Sequence, residues 1–211
     1  YKEKVLSFLD KISKEARLIG AVNTIKVTDS KLEGFNTDGS GFIRHLSQDL
    51  NFNPENKKIA IIGAGGAARA ISVYLAKNNA KTITLYDINE SKLFSLVSYL
   101  KRIFKDKEFK AAHSIAELKI TESNLLVNAT PVGMKKNDPC LIDEKLIHKD
   151  ILIYDLIYNP PQTKLLKLAQ AKGAKFSNGL GMLLYQGALS FEIWTDKKAP
   201  LTIMRQALKW I

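Results

Sequence analysis

The chain has 211 residues, 45% of them hydrophobic and 25% charged, enough for one large domain or two small ones with a sizeable core. No apolar run approaches the roughly 20 residues of a membrane-spanning helix, and a single cysteine, Cys140, excludes an internal disulfide and fits the reducing cytoplasm. Three histidines and that cysteine lie too far apart in sequence for a zinc site, so no metal is expected, and the net charge of +11 comes from lysines spread over nearly every segment, a solvated surface rather than a nucleic-acid footprint.

Residues 3–19 place Val5, Phe8, Leu9, Ile12, Ala16 and Ile19 at helical spacing. Ser13 breaks the pattern as the N-cap of a second helical piece, with Glu15 in its first turn. GAVNTIKV reads as a strand, DSKLEGFNTDG as a turn and short strand, GSGFIRHLSQDL as a helix, and NFNPENKK as a loop around Pro54. From residue 58 the rhythm changes. KIAIIG is a buried strand, GGAARAISVYLAKN a helix, TITLYD a strand and ESKLFSLVSYLKRIF a helix. SNLLVNAT and ILIYDL are strands, and TKLLKLAQAKGA is a helix closed by Gly173. Apolar strands alternating with amphipathic helices predict an α/β fold, a doubly wound parallel sheet with helices on both faces. GLGMLLYQGALSFEIW and PLTIMRQALKW read as two final helices.

The stretch GAGGAAR, 63–69, sits between the strand IAII and a helix. Gly63 permits the tight turn, Gly65 lets backbone approach a pyrophosphate, and Ala68 is the small residue where helix meets strand. Backbone N–H groups of the turn and first helical residues, Ala64, Gly66 and Ala67 among them, would face the phosphates, with the helix dipole favouring their charge. The next strand ends in Asp87, placed to accept hydrogen bonds from the adenosine ribose and to repel a 2′-phosphate, which favours NAD over NADP. Lys92, five residues on, could neutralise such a phosphate and argues for NADP.

Further stretches are more specific: GAVNT (20–24), NTDGSGF (36–42), NATPVGM (128–134), DLIYNP (155–160) and NGLGMLLYQGA (178–188). In this order and spacing, together with GAGGAARA, the chain resembles shikimate dehydrogenases over essentially its whole length. The resemblance implies reversible NADPH-linked reduction of 3-dehydroshikimate to shikimate. Tyr1-Lys2 matches the end of the family's NVT-x-P-[FY]-K segment, which makes Lys2 the catalytic acid/base and Asp38, in NTDG, its partner. Asn23 and Gln186 match residues that hydrogen-bond the ring hydroxyls, and Tyr158 one that lines the substrate side. Leu156 and Gly179 match positions at the nicotinamide, and Met182 the methionine that flanks that ring. Asn128, Thr130 and Pro131 are expected to shape the loop after their strand. The family carries roughly 60 residues ahead of this point, a domain-sized increment, with a Ser-x-Ser that binds the substrate carboxylate. The chain is therefore expected to be a fragment, and an incomplete α/β substrate domain is expected beside the Rossmann-like one.

One departure concerns the cofactor. NADP-using members commonly carry Asn-Arg-Thr where this chain has Asp87-Ile88-Asn89; Asp87 resembles instead the NAD-linked quinate/shikimate branch. Both NADP and NAD stay open. The expected divisions are residues 1–37 in the substrate domain, 38–178 in the dinucleotide domain, and 179–211 as helices returning to the first. The active site is expected in the cleft that the chain crosses near Asp38 and Gly179. A small-molecule substrate is the expected partner, with no nucleic acid and no membrane, and a homodimer stays open as the assembly. The rival readings are an NAD-linked quinate/shikimate dehydrogenase and a nucleotide-binding module without catalysis.

Overall fold

A computed structural model describes residue 2 and residues 4–208. In chain order its elements are β1 (Lys11–Ile12), α1 (Lys14–Ile19), β2 (Thr24–Thr28), β3 (Lys31–Phe35), α2 (Asp38–Gln48), β4 (Lys58–Ile62), α3 (Gly66–Lys77), β5 (Thr82–Tyr86), α4 (Glu90–Ile103), β6 (Glu108–Ala111), β7 (Leu125–Asn128), β8 (Leu152–Asp155), α5 (Lys164–Ala171), β9 (Lys175–Ser177), α6 (Leu180–Thr195) and α7 (Leu201–Ala207). Contacts group the described residues of 1–52, 69–74 and 181–211 in one compact unit, and 53–68 and 75–180 in another. The expected division put α2 with the dinucleotide domain, whereas by contacts it groups with the first unit: Gly41 lets it approach Gln186 of α6, and Gly39 lets it approach Ala70 and Tyr74 of α3. Lys209 and Trp210 of the last expected helix lie outside the described residues.

The first unit carries a three-stranded sheet in the order β1-β3-β2, with β1 parallel and β2 antiparallel to β3. The expected helical run over 3–12 is replaced by a 3-10 turn at Lys4–Phe8 followed by β1. The cause is tertiary: the N–H groups of Asp10 and Ser13 donate to the carbonyls of Leu32 and Gly34 on β3, so this backbone completes a sheet instead of a helix. Gly34 makes the approach possible, since a Cβ there would collide with the side chain of Leu9, just ahead of β1, and come within 2.8 Å of that of Val22. Ser13 does cap α1, accepting from the Ala16 N–H at 3.2 Å. Phe42 and Leu46 on α2, Leu184 and Tyr185 on α6, and Ile19 form buried apolar positions of this unit.

The second unit is built on six parallel strands in the order β6-β5-β4-β7-β8-β9. Its centre is apolar throughout: Ile59–Ile62, Leu125–Val127 and Ile151–Tyr154 are buried, as a sheet covered on both faces requires. The order reverses between β4 and β7, the switch point where ligands of open parallel sheets bind. The outermost strands, β6 and β9, were not expected from the sequence. No described helix is long and apolar enough to cross a membrane.

Candidate functional site

β4 runs out into the glycine turn at its C-terminal end. Gly63 has φ +111°, and a Cβ there would come 2.8 Å from the carbonyl oxygen of Ala129, so the turn needs glycine to pass the loop after β7. At Gly65 and Gly66 a Cβ would meet nothing within 4 Å. That open space stands at the N-terminus of α3, where first-turn N–H groups and the helix dipole favour an anion, and it fits a dinucleotide's pyrophosphate. Ala68 is fully buried, as its packing role demands, and Ala67 is half-buried beside it.

Asp87 follows the end of β5. Its carboxylate accepts from the Ala64 N–H at 2.7 Å and from the Asn89 N–H at 2.8 Å. The residue expected at the ribose thus also braces the glycine turn, a role that sequence spacing did not reveal. Lys92 is exposed in the first turn of α4, where its backbone N–H donates to the Asn89 cap. Past β8, the Leu156 N–H donates to the Asn128 carbonyl at 3.0 Å, and the Gly179 N–H to that of Ile157 at 3.2 Å. A side chain at Gly179 would run into the Leu156 carbonyl, so this glycine lets the two segments touch. Tyr158 lies exposed on the segment between them.

The first unit gathers the other group. Lys2 Nζ donates to Asp38 Oδ2 at 2.5 Å, with the lysine side chain about half exposed and the carboxylate largely covered. Asp38 opens α2, where the helix dipole favours its charge. Asn23 donates to Asp38 Oδ1 at 2.7 Å, and its Oδ1 accepts from the Thr37 N–H at 3.0 Å. The Thr37 hydroxyl lies 3.4 Å from Gln186 Oε1 and 3.2 Å from Ser190 Oγ. Lys2, Asn23, Asp38 and Gln186, spread over 184 positions of sequence, therefore form one polar cluster through Thr37. Thr37 was not singled out from the sequence, although its place inside the NTDG motif was the signal. Met182 is buried on α6, one turn before Gln186.

Chemically, the cluster pairs a half-exposed ammonium with a held carboxylate and offers amides beside them, a proton donor with hydrogen-bonding groups for a hydroxylated substrate. Among the described residues no group of three or more His, Cys, Asp and Glu could hold a metal ion.

Comparison with known proteins bears on both groups. A model of the shikimate 5′-dehydrogenase C-terminal domain matches residues 179–209. The shikimate dehydrogenase (NADP(+)) of Methanopyrus kandleri is 43% identical over 99% of this chain and 73% of its own length. The crystal structure of shikimate 5-dehydrogenase from Listeria monocytogenes, in complex with shikimate and NAD, superposes with a TM-score of 0.90 at 34% identity over 98% of this chain and 74% of that one. Quinate dehydrogenase from Corynebacterium glutamicum, in complex with NAD, gives a TM-score of 0.92 at 28% identity over the whole of this chain and 75% of that one.

Proposed function

The chain belongs to the shikimate dehydrogenase family, and we propose that it carries out the reversible NAD(P)H-dependent reduction of 3-dehydroshikimate to shikimate with Lys2 and Asp38 as its acid–base pair. The observation that carries the assignment of residues is the Lys2–Asp38–Asn23 cluster. A bound nicotinamide cofactor supplies the hydride for the ketone carbon. As that carbon is reduced, negative charge grows on the carbonyl oxygen, and Lys2 gives it the proton it needs. Asp38 holds the ammonium in place from the start of α2. In the reverse direction Lys2 takes the proton from the hydroxyl. Asn23 and Gln186 hold ring hydroxyls, and Tyr158 lines the substrate side. The glycine turn, Gly63 to Ala67, binds the pyrophosphate, while Leu156, Gly179 and Met182 flank the nicotinamide.

NADP is the cofactor that the curated relatives' names favour. Asp87 supports a second reading, an NAD-linked quinate/shikimate dehydrogenase, because its carboxylate would repel a 2′-phosphate. The test is shikimate-dependent appearance of reduced nicotinamide with NADP⁺ and NAD⁺ supplied separately, with quinate as the alternative substrate. Turnover of shikimate supports the proposal. Cofactor binding without turnover of either acid, both in this chain and in one extended by its relatives' N-terminal segment, would leave a nucleotide-binding module and sink it.

A further inference from the structure

We propose that Asp155 is a positioning residue whose carboxylate ties the segment after β8 to the segment after β7 and so sets the nicotinamide end of the cofactor site. The inference rests on the family reading above, which puts Leu156 and Gly179 at that end. Asn128 and Asp155 are register partners at the C-terminal ends of β7 and β8. Asp155 is fully buried. Its Oδ1 accepts from Asn128 Nδ2 at 2.9 Å and from the Ile157 N–H at 3.1 Å, and its Oδ2 from the Thr163 hydroxyl at 2.6 Å.

Those three donors are neutral and come from three segments: a strand end, the residue after Leu156, and the N-cap of α5. Asn128 passes the constraint on. Its Oδ1 accepts from the Thr130 N–H and hydroxyl at 3.0 and 2.7 Å, and its amide also donates to the Val132 carbonyl at 3.1 Å. One carboxylate therefore fixes 128–132 and 156–163 together, and Ala129 within the first of these abuts Gly63 of the glycine turn.

A buried carboxylate with neutral partners is a costly way to fill space. Burial pushes its pKa above the ordinary carboxylate range, against the hydrogen bonds from Thr163, Ile157 and Asn128 that lower it. An apolar residue would pack at less cost but could not accept three hydrogen bonds. The function left to the carboxylate is the shape of the two segments it joins.

The experiment compares NADPH with 2′-phospho-ADP-ribose, which lacks the nicotinamide, by fluorescence and calorimetric titration; NADH and ADP-ribose are run in parallel. Asp155→Ala and Thr163→Val should weaken the complete dinucleotide roughly tenfold, the loss of one or two net hydrogen bonds. Affinity for the ligand without nicotinamide should stay within about twofold, since Asp87 braces the glycine turn independently through the Ala64 N–H. Thr163→Ser keeps the hydroxyl and should bind like the parent chain. If Asp155→Ala fails to fold, Thr163→Val decides. Equal weakening of both ligands, or no weakening of either, overturns the positioning role while the family reading stands. A parent chain that binds neither dinucleotide overturns both.

Discussion

Lys2 and Asp38 are 36 positions apart in the chain and meet at 2.5 Å. Lys2→Ala should lower kcat by about 10²–10⁴-fold, the range for a positioned acid or base, with a much smaller change in KM. Steady-state kinetics on both substrates checks this, and near-normal kcat would return Lys2 to an ordinary surface lysine. Asp87 is the second residue whose substitution discriminates. Like charges about 5 Å apart repel by roughly 3 kcal/mol at an effective dielectric of about 20, and solvent exposure cuts this to about 1 kcal/mol. Asp87→Asn should therefore raise the ratio of kcat/KM for NADP over NAD by about fivefold to tenfold, and Lys92→Ala should lower it. An unchanged ratio would mean that the carboxylate acts only through its brace on the Ala64 N–H.

The α2–α6 pair carries Asp38 on one helix and Gln186 on the other. They approach closely because Gly41 has no side chain: a Cβ there would lie 2.6 Å from the Gln186 backbone nitrogen. Gly41→Ala should cost about 1–3 kcal/mol, the usual cost of overpacking, and raise the KM for shikimate by displacing Gln186; urea unfolding and kinetics read the two effects. Farther along α2, His45 is buried against Gly181 and lies 3.8 Å from Asp49. Burial lowers its pKa, Asp49 opposes this, and Arg205 on α7 adds to the lowering. Asp49 is itself held low: burial raises its pKa, but Arg205 and Tyr185 outweigh that through hydrogen bonds of 2.8 Å each. The folded state therefore holds His45 neutral while the unfolded chain takes up its proton near the ordinary histidine value of 6.5. The stability this contributes is complete above that value and is lost as the pH falls through it toward the lower folded pKa. The urea midpoint should decline on acidification below about pH 6.5, and His45→Gln should flatten that decline.

Across the molecule, the parallel sheet brings the ends of β4, β5, β7 and β8 to one edge of the second unit, where the glycine turn, Asp87, Asn128 and Asp155 all sit. Gly65 tests what that edge is for. The free fold has room for a side chain there, whereas a bound pyrophosphate would not. At about 100 times Kd a ligand stabilises by roughly 2.7 kcal/mol, which for a chain of this size is about 5–10 °C in Tm. NADPH should give such a shift in the parent chain. Gly65→Val should leave the ligand-free Tm nearly unchanged and abolish the shift, as measured by differential scanning fluorimetry. A Gly65→Val chain that still gains several degrees from NADPH would place the phosphates elsewhere.

The strand–turn–helix at 58–77 was readable in the chain because its three parts are contiguous and each carries its own periodicity. So were α2, α4, α5 and the Ser13 cap, where local hydrogen bonds and apolar spacing agree. Other features were not. Residues 5, 8, 9 and 12 have helical spacing, yet their segment gives its backbone donors to β3, a partner more than 20 positions away. β6 (EFKA) and β9 (KFS) are edge strands, and an edge that buries only Phe109 from one of them leaves almost no apolar pattern to read. Lys2, Asn23, Asp38 and Gln186 were expected from family motifs, but Thr37 as their link was not. Nor was Asp155 as the junction of two loops, although a carboxylate ending the apolar run ILIY was a sign of a buried charge. Periodicity and turn chemistry act over a few residues, so the sequence alone specifies elements of that length. Which backbones pair, and which polar groups share one buried acceptor, depends on segments far apart in the chain, and folding settles it by satisfying donors that no local neighbour can reach.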